Sequence, residues 1–130
     1  MAEKQRAGAQ LCVLNHVSSP ARVAEFLTAA RAAGATLPCV AGVAVYTDEP
    51  SAGVLQRFPG LHLDDAVVER VLAARDPRVA GIAAAVEEAR ALLAIPGVVG
   101  VNLSGSGSGL GEDDGAQVKA EVARQLKGQS

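Results

Sequence analysis

The chain has 130 residues, of which 49% are hydrophobic and 20% charged, and its net charge is −2. That is enough apolar material for one core, so a single domain spanning residues 1–130 is expected. One tyrosine, two phenylalanines and no basic run leave neither the electrostatic footprint nor the stacking platform of a nucleic-acid-binding protein. No apolar run approaches the length of a membrane span, and the N-terminal MAEKQRAGAQ lacks the apolar core of a secretory signal, so a cytoplasmic location is expected.

In chain order, EKQRAGA reads as the last turns of a helix, with basic residues near its end and Gly8 just beyond. AQLCVLNHV is a short apolar run with β-branched residues and reads as a buried strand. A helix follows: Ser19 can cap it, Pro20 suits its first position, and Val23, Phe26, Leu27 and Ala30 recur at helical spacing before Gly34 ends it. LPCVAGVAVYT carries too much glycine and too many β-branched residues for a helix and is the second strand. Cys12 and Cys39 sit in these two apolar runs without metal-type spacing, which predicts buried, reduced, structural thiols.

Pro50, Pro59 and two glycines break up DEPSAGVLQRFPGLHL, which reads as irregular. Asp64 or Asp65 then opens a helix bearing Val67, Val68, Val71 and Leu72. Asp76 before Pro77 opens another, with Val79, Ile82, Val86, Ala89 and Leu93 on its predicted apolar face and Gly97 at its close. VVGVNLS is the third strand. A glycine- and serine-rich stretch over 104–115, expected to be flexible, leads to a closing helix striped by Val118, Val122 and Leu126.

Strands alternating with helices predict an α/β fold of about three consecutive parallel βα units. So small a sheet has two unpaired edges, and Val13, Val43 and Val101 are expected to lack full cover, which favours self-association or a complementary chain. His16 and His62 have no zinc-type companions, so no metal is expected. Ser18 and Ser19 read as capping residues rather than parts of a triad, and Glu69, Glu87 and Glu88 read as solvated helix surface beside Arg70 and Arg90.

The segments EKQRAGAQLCVLNHV, ARAAGATLPCVAGVAVYTD, FPGLHLDDAVVERVLAARDP and VEEARALLAIPGVVGVNLSGSG, taken in that order, resemble the C-terminal part of the methylenetetrahydrofolate reductase family. The likeness covers about residues 3 to 127. It rests on the AGA before a strand ending in an amide, the AGV strand, the helix leading to DP and the final GVVGVNL strand. Members of that family are flavin-dependent (β/α)₈ barrels, so the resemblance implies a partial TIM barrel whose strands match the last three of eight. It further implies a flavin-dependent oxidoreductase of one-carbon (folate) metabolism serving methionine biosynthesis, in a truncated or partner-completed form. FAD would be the cofactor, NAD(P)H a possible electron donor and a folate-type small molecule the substrate. The alternative is a non-catalytic half-barrel that acts as an interaction or assembly module.

Function on barrel strands concentrates at their C-terminal ends, which selects Asn15, His16, Tyr46, Asn102 and Ser104 as substrate-binding candidates. The resemblance places Asn15 where the family has a folate-contacting glutamine, one methylene longer, and His16 where the family usually carries an apolar residue. The competing reading has Asn15 capping a turn and His16 on the surface. Tyr46 could pack on a ring system or be a half-buried loop tyrosine. The family's final strand commonly leads into an arginine, replaced here by Ser-Gly repeats. Those repeats could cradle a phosphate, but Glu112, Asp113 and Asp114 follow without an intervening Lys or Arg, which favours a simple loop. No catalytic residue is assigned.

Overall fold

A computed structural model describes residues 1–14, 19–59 and 61–128 of the chain. In order, its elements are α1 (Ala2–Arg6), β1 (Cys12–Leu14), α2 (Pro20–Ala32), β2 (Cys39–Ala44), α3 (Glu49–Gln56), α4 (Asp65–Ala73), α5 (Pro77–Leu93), β3 (Val98–Ser104) and α6 (Glu112–Lys127). The strands form one parallel sheet in the order β1-β2-β3. This is the expected α/β architecture of successive βα units.

Local rules place most helix starts. Pro20 and Pro77 occupy first-turn positions, where the missing N–H has no intrahelical partner to lose, and the Asp64 and Asp76 carboxylates accept from Ala66 N–H (3.0 Å) and Val79 N–H (3.2 Å). The stretch expected to be irregular contains α3. Asp48 and Ser51 form a reciprocal capping box around Glu49 and Pro50, the latter again in a first turn, and this local closure offsets the poor helix propensity of Gly53.

The sheet has two unlike faces. Cys39, Ala41, Val43 and Val98 pack with α2, α5 and α6 through Val23, Leu27, Ile82, Val86, Val118 and Val122. On α5 the buried stripe runs through Gly81, Ile82, Ala85, Val86, Ala89 and Leu92. Val79 and Leu93, expected on that stripe, are exposed at 62% and 40% because the helix is rotated toward its small residues. A second cluster gathers Ala44 and Tyr46 with Ala52 and Leu55 of α3 and Val68 and Val71 of α4.

Strand register corrects the expectation for the poorly covered positions. Val13 pairs with Val40, whereas Val43 pairs with Leu103 and Ala41 with Val101. Val43 is therefore fully buried and Val101 packs against the first core, while Val13 stays 62% exposed. Val99, at the register shift in β3, and Leu11, just before β1, are exposed as well. One residue of strand offset decides the face, since side chains alternate with a period of two.

Candidate functional site

The C-terminal ends of β2 and β3 carry most of the polar structure. Beyond β2 the chain runs Val45, Tyr46, Thr47, Asp48 into α3. The Ser51 hydroxyl donates to Asp48 Oδ1 (2.6 Å) and accepts from the Thr47 and Asp48 N–H groups (3.1 and 3.2 Å), so this corner is cross-braced. From it, Thr47 Oγ1 donates to the Gly107 carbonyl (2.7 Å), and the Asp48 carboxylate accepts the Gly109 N–H (2.8 and 3.0 Å). The stretch after β3 is thus tied to the stretch after β2. Gly105 and Gly107 take φ values of +96° and +78°, which side-chain-bearing residues avoid.

Burial pushes the Asp48 carboxyl up, but the Ser51 hydroxyl, the Ser51 N–H and the Gly109 N–H together hold it below the usual carboxylate value. An anion would meet that carboxylate where it would need Gly109's N–H. The groove alongside, about 540 Å³ and lined by Pro50, Val54, Ser108, Gly109, Glu112 and Lys119 among others, carries one lysine and one glutamate. This charge arrangement opposes a phosphate cradle. Asp114, in the first turn of α6, is held below the usual range first by the Arg78 guanidinium (2.8 Å) and then by the Ser108 hydroxyl.

A separate cavity of about 200 Å³ opens beside Tyr46, lined by Pro20, Ala44, Leu63, Asp64, Arg70 and Glu88 among others. Tyr46 is 6% exposed. Burial first, then the nearby Glu88 and Asp64 charges, push its phenol up to about 12, against the opposing pull of Arg70. At neutral pH it is a neutral hydrogen-bond donor at the cavity wall. Glu88, expected as solvated surface, is half-buried and lines this cavity. The combination of an apolar floor, a phenol, carboxylates and one guanidinium suits a small ligand offering both ring surface and N–H donors.

The other candidates fall elsewhere. Asn102 pairs with Gly42, exposed on the face opposite the α2–α5–α6 layer. Ser104 pairs with Ala44 and its hydroxyl donates to the Val43 carbonyl (3.2 Å), so that donor is committed to the sheet. Asn15 and His16 lie outside the described residues. Among the described residues, no group of three or more His, Cys, Asp or Glu could hold a metal ion. No helix there is long and apolar enough to cross a membrane.

Thr47 and Asp48 were not singled out by sequence, and Glu88 was read as solvated surface rather than as a site residue. For Asp48 a signal existed, since Asp-Glu-Pro-Ser is a cap followed by an early-helix proline and a serine at the third helical position. For Glu88 none did, because its neighbours Asp64 and Arg70 come from another helix. No family model matches the chain, and no curated protein sequence matches it.

Proposed function

We propose that this chain is the C-terminal portion of a methylenetetrahydrofolate reductase-like barrel, matching the last three of eight strands and completed by further βα units from associated chains. The observation that carries the reading is the sheet itself: three parallel strands in chain order, one face under α2, α5 and α6, the other leaving Val13 and Asn102 in solvent. A barrel interior would cover those positions. Covering Val13, Val99 and Leu11 would contribute roughly 1.5–3 kcal/mol for each side chain fully buried.

In this reading the folate-type substrate lies across the strand ends, with Asn15 hydrogen-bonding its amide-like edge, His16 orienting it and Asn102 near the end of β3, while Tyr46 serves the separate cavity and the Ser104 hydroxyl stays with the sheet. FAD would supply the hydride, with NAD(P)H as the possible donor that reduces it. The described residues of this chain do not fit the FAD diphosphate: the loop after β3 offers Gly109's N–H to Asp48, and Glu112 and Asp113 stand beside it. Flavin binding is therefore assigned to the completing units, and this chain's role is on the substrate side.

A second reading, a flavin-free assembly module, is favoured by the same exposed face together with the outer edges of β1 and β3, which pair with no other strand among the described residues. The two separate in one experiment. The chain is isolated under native conditions with whatever it associates with, and its mass and visible spectrum are recorded. An assembly heavier than one chain with flavin absorption supports the reductase reading, and Asn15→Ala in it should weaken folate binding by about 1 kcal/mol or more. A colourless assembly supports the module, and a colourless single chain overturns both.

A further inference from the structure

Cys12 and Cys39 are register partners at the first positions of β1 and β2. Partners on neighbouring parallel strands project to the same face, with strands about 4.8 Å apart. That separation falls within the range of about 4.4–6.8 Å between Cα atoms spanned by disulfides. Both side chains enter the same core, Cys39 fully buried and Cys12 half-buried against the cluster. Burial pushes the Cys39 thiol up, and the adjoining Cys12 thiol pushes it further, while Arg31 opposes both. Such closeness is more than the two separate structural thiols expected from sequence.

We propose that Cys12 and Cys39 form a dithiol that closes to an intramolecular disulfide on exposure to a small-molecule disulfide of the glutathione type. Cys12, the more accessible, attacks as thiolate. The small disulfide's S–S bond breaks, a mixed disulfide forms on Cys12, and one small thiolate leaves and takes up a proton. Cys39 then loses its proton to solvent and attacks the Cys12 sulfur, releasing the second small thiol. The protein loses two electrons and two protons, and the small disulfide gains them. Among the described residues β1 is an edge strand paired on one side, so it is the element that moves to bring the sulfurs to bonding distance. The bond would staple this edge strand to the centre of the sheet.

The test uses the folded chain equilibrated in mixtures of oxidised and reduced glutathione, read by intact mass and by peptide mapping. The expected product has lost two hydrogens, carries a Cys12–Cys39 cross-linked peptide, and has an effective thiol concentration at least about tenfold higher in buffer than in urea, because folding holds the pair together. Cys39→Ser should stop at a mixed disulfide on Cys12, whereas Cys12→Ser, which leaves only the buried Cys39 thiol, should stay reduced. Thiols that stay free, glutathione adducts on both cysteines, disulfide-linked dimers, or closure no more favourable in buffer than in urea would each overturn the proposal.

Discussion

Gly81→Ala separates local helix preference from tertiary packing. Gly81 is buried in α5, and a Cβ added there would collide with the Tyr46 carbonyl oxygen and lie 3.2 Å from both Cα and Cγ2 of Thr47. In an unpacked helix the change would stabilise by about 0.8–1 kcal/mol. Here the carbonyl has little freedom to swing. The next N–H is bound by Ser51 Oγ and the Thr47 hydroxyl by the Gly107 carbonyl, so the strain passes to α5 and its contacts with β2. Overpacking of this kind costs about 1–3 kcal/mol, with more for backbone displacement, so a net loss of about 1–2 kcal/mol is expected. For a domain of this size that lowers Tm by about 3–10 °C. Urea unfolding followed by circular dichroism measures it, with Gly53→Ala as the control: there the nearest atom to an added Cβ is the flexible Arg57 guanidinium at 3.5 Å. Gly53→Ala should be neutral or stabilising. A Gly81→Ala protein as stable as that control would refute the close approach of α5 to the end of β2.

Four further outcomes are expected. Asp48→Ala removes the cap of α3 and the acceptor for Gly109 N–H, and should cost about 2 kcal/mol in urea unfolding. Because the Asp48 carboxyl is held below its usual value of 3.8, its contribution is complete above that pH and fades as pH falls through the lower folded value. The stability gap between wild type and Asp48→Asn should therefore narrow in acid; a gap constant with pH would remove the carboxylate from the account. Tyr46, the sole tyrosine, should ionise near pH 12 in the folded chain and near 10 in urea by ultraviolet titration. Its neutral form supports the fold fully below pH 10, and that support is lost as pH rises toward 12; ionisation near 10 with native circular dichroism retained would contradict its burial. Val13→Glu should reduce any self-association seen by sedimentation without lowering helix content, whereas association unchanged by it would place the contact elsewhere.

Much of the fold was legible because its signals are local. Pro20, Asp76-Pro77 and Gly34 punctuate helices through backbone sterics that need no tertiary partner, whereas Gly97, expected to close α5, lies beyond its cap at Ala94 and leads into β3. Helix α3 was hidden because Pro50, a first-turn proline, reads as a breaker and Gly53 lowers propensity, while the closure comes from the side chains of Asp48 and Ser51. The candidate site was less legible. Tyr46 was singled out for its place beyond β2, but the cavity beside it needs Asp64 and Arg70 from around α4 and Glu88 from α5, and no spacing along the chain announces that meeting.

The sequence by itself determined the succession of three apolar strands and the helices between them other than α3, since hydrophobic period and turn chemistry act within a few residues. Tertiary structure alone decided which valines are buried, that Cys12 faces Cys39, and that Asp48 holds the loop after β3. Those outcomes depend on strand register and on groups as many as 61 residues apart, and a one-residue slip in register exchanges the two faces of the sheet.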